Sequence, residues 1–147
     1  MAEGVGAPAL PPERRAPASN LEVATILVVD DEAAVRMIAQ RQLQSAAAEY
    51  HVRQATNGVT ALELVDRYGP PDLVLTDIMM PQMGGAELAA RLRARWPDIP
   101  IVFMSGYAQE DLHRTGSVAR GERVVQKPFH PETLVRALTD ALRDRAT

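Results

Sequence analysis

Short apolar runs alternate with longer amphipathic stretches along this chain, and the alternation begins after residue 22. Ala24 to Val29 (ATILVV) is a β-branched apolar run closing on acids, which predicts a buried strand. Glu32 to Ser45 then carries Val35, Ile38, Ala39, Gln42 and Leu43 at helical spacing. Tyr50 to Gln54 alternates as a short strand. Asn57-Gly58 signals a turn, and Val59 to Tyr68 reads as a helix with Leu62 and Val65 inward, stopped by Gly69-Pro70-Pro71. Asp72 to Thr76 (DLVLT) predicts another buried strand, ending at Asp77. A helix is predicted over Gly85–Arg95 with Leu88 and Leu92 on one face, followed by a strand at Ile101–Met104. Residues 107–120 are weakly helical and broken by Gly116 and Gly121, so the fourth helix is expected to be short or mobile. Arg123–Gln126 supplies a fifth strand. Pro131–Arg143 supplies a last helix striped by Leu134, Leu138, Ala141 and Leu142.

Five strand–helix repeats whose strands are apolar on both faces predict an α/β fold. It is a doubly wound, three-layer sandwich in which a five-stranded parallel sheet is covered by helices on both sides. Its connections must be right-handed crossovers. In open sheets of this kind sites form at the carboxyl ends of the strands, near the topological switch point.

Composition changes this picture only at the start of the chain. Residues 1–22 have Pro8, Pro11, Pro12 and Pro17 among Ala and Gly, with little beyond Val5 and Leu10 to enter a core. Such a segment cannot offset the entropy of ordering itself, so a disordered tail or linker is expected there, ahead of a domain at 23–147. The chain is 46% hydrophobic and 24% charged, as ordinary globular proteins are, and its net charge of −3 argues against nucleic-acid binding. It has no cysteine, which excludes disulfides and thiolate chemistry. No apolar run approaches the roughly 18–20 residues of a membrane span, and the start lacks a secretory signal. No membrane partner and a cytoplasmic location are therefore expected.

The strand ends carry the chemistry. The first ends Val29-Asp30-Asp31-Glu32, the third Thr76-Asp77, the fourth Met104-Ser105-Gly106, and the fifth runs into Lys127-Pro128-Phe129. Each has an ordinary reading by itself: an aspartate at a strand end is usually a cap or turn residue, and Lys-Pro a surface loop. If the sheet assembles as predicted, however, Asp30, Asp31, Asp77, Ser105 and Lys127 converge on one rim. Clustered carboxylates repel, and need a cation or a raised pKa. Oxygen ligands with open positions suit Mg²⁺, which retains waters and binds phosphate. A lysine can pair with acid before a phosphoryl transfer and with phosphate after it, while a serine hydroxyl can donate to a phosphoryl oxygen. Such a set fits attack by a carboxylate on phosphorus.

With these motifs in hand the chain resembles the receiver (CheY-like) domain of bacterial two-component response regulators. The resemblance covers about residues 23–145 and rests on ILVVDDE at 26–32, TDIMMPQMGG at 76–85, FMSGY at 103–107 and QKPF at 126–129. It implies the flavodoxin-like strand order 2-1-3-4-5, for which CheY is a standard example. It implies that Asp77 accepts a phosphoryl group from a histidine kinase or histidine phosphotransfer protein. Asp30, Asp31, Asp77 and the backbone carbonyl of Met79 would hold Mg²⁺, while Ser105 and Lys127 would contact the phosphoryl group. The family also implies a cis Lys127-Pro128 bond. The output would be a changed binding surface for a downstream protein, and chemistry would be limited to self-phosphorylation and autodephosphorylation.

The sequence departs from the family at the readout. Where the family has an aromatic switch residue this chain has Val124, and Tyr107 is the substitute at hand; GSVARGER at 116–123 replaces the usual fourth-helix pattern. Two other classes compete. A haloacid dehalogenase-like phosphohydrolase would need its nucleophile on the first strand with a second aspartate two residues on, whereas Asp30 and Asp31 are adjacent. A pseudo-receiver that only binds partners would not need Asp77, the acidic pair, Ser105 and Lys127 together. His51, His113 and His130 lie in no setting typical of a phosphorylated histidine, and are expected at surface or edge positions.

Overall fold

A computed structural model describes residues 23–46 and 50–146; the segment expected to form a tail, 1–22, lies outside the described residues. The strands are β1 (Ala24–Val29), β2 (Tyr50–Ala55), β3 (Leu73–Asp77), β4 (Ile101–Ser105) and β5 (Arg123–Gln126). Between and after them run α1 (Ala33–Gln44), α2 (Gly58–Tyr68), α3 (Gly85–Arg95), α4 (Gln109–Thr115) and α5 (Pro131–Ala146). All strand pairs are parallel and the order across the sheet is β2-β1-β3-β4-β5, as expected.

The two faces of the sheet build two cores, and the period of two along each strand sorts residues between them. Ile26 and Val28 of β1 join Leu73, Leu75, Val102 and Met104 under α1 and α5, against Ala39, Leu43, Leu134 and Leu138. Leu27 and Val29 join Val74 and Phe103 on the other face, under α2, α3 and α4, against Ala61, Val65, Leu88, Leu92 and Leu112. Burial on both faces is why these strands read as continuous apolar runs rather than alternating ones.

Local chemistry sets the helix ends. Asn57 caps α2: its side chain accepts the Thr60 N–H at 2.9 Å, and Thr60 Oγ1 accepts the Asn57 N–H at 3.1 Å. That reciprocal box makes Asn57-Gly58 a helix start as well as a turn. Helix α4 is only seven residues long, as expected, and stops at Gly116, whose φ of 78° is the left-handed conformation that glycine adopts without strain.

One sequence expectation for an apolar residue fails. Ile38, placed on the buried stripe of α1, is 49% exposed beside an equally exposed Met37. The sheet-facing line is set by Ala39 and Leu43, four residues apart, and Ile38 is turned roughly 100° from Ala39 around the helix. In the loop after β3 the Met79 side chain is 74% exposed, while Met83 is buried and Met80 half-buried.

Asp72, predicted as the first residue of the third strand, instead precedes β3 as a buried carboxylate. It accepts the Thr25 N–H at 2.7 Å and Arg145 Nη1 at 3.2 Å, and Arg145 also donates to the Asp72 carbonyl at 2.9 Å. It thereby ties β1, the start of β3 and the end of α5 together. Asp72→Ala leaves the Thr25 amide without this acceptor and a partly buried guanidinium without its counter-charge, so a loss of about 2–3 kcal/mol in urea unfolding is expected. A change below about 0.5 kcal/mol, typical of neutral surface sites, would contradict that role.

Candidate phosphorylation site

Strand register assembles the rim. Val29 pairs with Thr76, so Asp30 and Asp77 are the next residues along neighbouring strands. Asp77 is level with Met104, putting Ser105 one step further, and Ser105 is level with Gln126, putting Lys127 one step beyond that. The strand-end residues singled out in the sequence are thus brought to one edge of the sheet, at the β1/β3 switch point.

The side chains there form a charged cluster with one inward cation. Asp30 is fully buried; its Oδ1 accepts the Glu32 N–H at 2.8 Å and its Oδ2 accepts Lys127 Nζ at 2.9 Å. Asp30 therefore turns the chain into α1 without capping the helix, whose N-cap is Glu32. Lys127 Nζ also lies 3.5 Å from Asp77 Oδ1 and 4.0 Å from the exposed Glu32. Asp77 Oδ1 accepts the N–H of Ile78 at 2.9 Å. Asp31 is exposed, and oxygens of Asp30, Asp31 and Asp77 lie within 4.8 Å of one another, the one such group among the described residues. The Lys127-Pro128 peptide bond is cis.

Electrostatics follow from this packing. Burial pushes the Asp77 carboxyl above its ordinary pKa, and the nearby Asp30 charge adds to the rise; Lys127 and the Ile78 N–H only partly oppose it. For Lys127, burial works against the ammonium, but the hydrogen bond to Asp30 and the charges of Asp77 and Asp30 outweigh it and raise its pKa. Three carboxylates against one ammonium leave two net negative charges when all are ionised. An all-oxygen set with that excess and an open side at Asp31 fits a hard divalent cation.

The residues expected to read out the site are less unified. Ser105 is buried and its Oγ accepts the Tyr107 N–H at 2.9 Å. The Tyr107 side chain is 66% exposed, and Val124 is half-buried against the core under α2, α3 and α4. Of the histidines, His51 and His130 are exposed, whereas His113 is half-buried in α4 with a buried Nε2 that has no partner among the described residues.

Arg36 was not singled out in the sequence. From α1 it donates to the Asp30 carbonyl at 2.7 Å and to Gln54 Oε1 at 3.1 Å, bracing the ends of β1 and β2 beside the acids. Its place one helical turn after Glu32 was the available signal.

Comparison with known proteins agrees with the geometry. The family described as the response regulator receiver domain matches residues 26–139. The chain is 39% identical over 120 residues to the sensor kinase CckA of Brucella abortus, a match covering 81% of this chain and 12% of that protein. It is 37% identical over 117 residues to the response regulator receiver protein CpdR of the same organism, covering 80% of this chain and 95% of the relative. A crystal structure of a response regulator receiver protein from Sinorhizobium medicae superposes with a TM-score of 0.73 at 30% identity, over 85% of this chain and 98% of that one. With the sheet order, the acidic rim and these matches in agreement, the chain belongs to the response regulator receiver domain family, whose members act in two-component systems as phosphorylation-dependent signalling switches.

Proposed function

We propose that Asp77 is the phosphoacceptor, and that a histidine kinase or histidine phosphotransfer protein in the cytoplasm is the donor. The observation that carries this reading is the pairing of Lys127 Nζ with both Asp30 and Asp77 at the end of β3. In the transfer, a carboxylate oxygen of Asp77 attacks phosphorus and an O–P bond forms as the N–P bond to the donor imidazole breaks. The leaving nitrogen keeps the electron pair and takes a proton from solvent. Lys127 holds the carboxylate in place before transfer and is within reach of the phosphoryl oxygens after it. Asp30, Asp31 and Asp77, with the Met79 carbonyl implied by family resemblance, are the residues that would hold Mg²⁺. When bound, Mg²⁺ neutralises charge on the acidic rim and on the incoming phosphoryl oxygens.

Readout begins at Ser105. Its hydroxyl proton donates to a phosphoryl oxygen, while its oxygen keeps the Tyr107 N–H as a partner. Movement of Ser105 therefore pulls on the β4–α4 loop, and with it a surface that a downstream protein recognises. Val124 offers no polar tip to follow that movement, so Tyr107 is the aromatic residue left to report it.

Incubation with acetyl phosphate and Mg²⁺ is expected to add one phosphoryl group, mapped by mass spectrometry to Asp77; a single stable label on any other residue refutes the assignment. Asp31→Asn is expected to leave thermal stability within about 0.5 kcal/mol of the wild type, because the side chain is exposed. It is also expected to weaken Mg²⁺ binding, read by calorimetry, by roughly tenfold or more. Equal Mg²⁺ affinities would remove Asp31 from the ligand set.

A further inference from the structure

We propose that Gln42 is a positioning residue for Lys127, an inference that rests on the reading of the site given above. Gln42 lies in the last turn of α1, at the opposite end of the helix from Glu32, and its Nε2 donates to the backbone carbonyl of Phe129 at 3.1 Å across 87 positions of sequence. That carbonyl belongs to residues 127–130, the short link between the end of β5 and the start of α5. The link is fastened on its other side by the Lys127 N–H, which donates to the Ser105 carbonyl at 2.7 Å. The Phe129 side chain packs on the core under α1 and α5. Lys127 thus reaches the rim from a segment held between the Ser105 carbonyl and the Gln42 amide. The first hold comes from the sheet; the second comes only from a side chain.

The other half of the amide argues that this hold matters. Gln42 Oε1 is buried and has no hydrogen-bond partner among the described residues. An acceptor left in that condition costs stability, and an apolar side chain of the same length would avoid the cost. The amide cannot be turned to relieve it, since Oε1 would then face the Phe129 carbonyl and the donor would be lost. A residue placed only to fill the space between α1 and α5 needs no donor. Gln42 supplies one, to the carbonyl two residues from Lys127.

Gln42→Met keeps the length and removes both polar ends, and Gln42→Lys restores a donor of similar reach. For Gln42→Met the expected results are an unfolding temperature equal to or above that of the wild type and an unchanged Mg²⁺ affinity. Its beryllofluoride affinity and initial rate of labelling by acetyl phosphate at saturating Mg²⁺ should each fall roughly tenfold, the range seen when supports behind a site are removed. Gln42→Lys should recover most of both. A merely structural role would move the unfolding temperature and leave beryllofluoride affinity alone. Wild-type rates and affinity in a folded Gln42→Met overturn the inference while leaving Asp77 as the acceptor. Equal losses in Gln42→Lys overturn it too, because the donor is then irrelevant. If the wild type takes no label, the site reading fails and the inference falls with it.

Discussion

Asp77→Asn is expected to take up no phosphoryl group from acetyl phosphate and, in metal-free buffer at neutral pH, to unfold at a higher temperature than the wild type. The first half follows from the nucleophilic role proposed for the Asp77 carboxylate. The second follows from what the carboxylate costs the fold. Asp77 is buried, its charge lies beside that of Asp30, and its pKa is raised despite Lys127 and the Ile78 N–H. The folded state therefore binds the Asp77 proton more tightly than the unfolded state, whose ordinary value is 3.8. For a raised pKa, the resulting stability is fully present below the unfolded value and is lost as pH rises through the folded one. At neutral pH the ionised Asp77 is thus a net liability, and a neutral amide of the same shape removes it. The expected gain is about 1 kcal/mol, or a few degrees in unfolding temperature. The gap should narrow as pH falls and close below about pH 4, where the wild-type carboxyl is itself protonated. An Asn variant less stable than the wild type at pH 7 would mean that the Lys127 contact outweighs burial and the repulsion from Asp30.

That balance could not be read along the chain. The alternation of apolar runs and amphipathic stretches was enough for ten elements and their succession along the chain, because strands buried on both faces and helices striped on one obey simple periods; the strand order across the sheet came from the family resemblance. The acids, Ser105 and Lys127 were legible because each lies at the end of a strand or within two residues of it, where a parallel sheet must bring them together. What escaped was chemistry that depends on distance across the fold. Asp72 looked like the first residue of a strand, yet it joins β1, β3 and α5. Arg36 and Gln42 looked like ordinary positions of an amphipathic helix, yet they reach the Asp30 and Phe129 carbonyls. Ile38 was misassigned because an apolar residue one position from a buried stripe satisfies the same helical spacing when the width of the stripe is unknown. Val124 is legible as a departure and Tyr107 as its substitute, but their contrast in exposure needed the packed loop to become visible.

Gly85→Ala is expected to do the largest damage among single-methyl changes near the site, and the reason lies in the backbone. The paired glycines Gly84-Gly85 follow the loop after Asp77, and α3 begins at Gly85 with Gly84 as its N-cap. The Gly85 N–H donates to the Ile78 carbonyl at 2.9 Å, which draws the start of α3 against the end of β3. A Cβ at Gly85 would stand 2.2 Å from the Asp77 carbonyl oxygen, 3.1 Å from its carbonyl carbon and 3.2 Å from the Ile78 Cα. None of these atoms can rotate away, so either α3 retreats or Asp77 shifts. Overpacking of this kind costs roughly 1–3 kcal/mol, and a contact with rigid backbone belongs at the upper end of that range. Gly58 provides an internal comparison: its added Cβ would meet the Met83 side chain at 2.6–2.8 Å, and a flexible thioether can give way. Gly106 provides the control, with nothing within 4 Å of an added Cβ. Urea unfolding should therefore rank Gly106→Ala, Gly58→Ala and Gly85→Ala in order of increasing loss. The labelling rate of Asp77 should fall most steeply in Gly85→Ala, including below the unfolding transition. A Gly85→Ala protein as stable and as readily labelled as Gly106→Ala would show that the close approach of α3 to the end of β3 does not hold Asp77 in place.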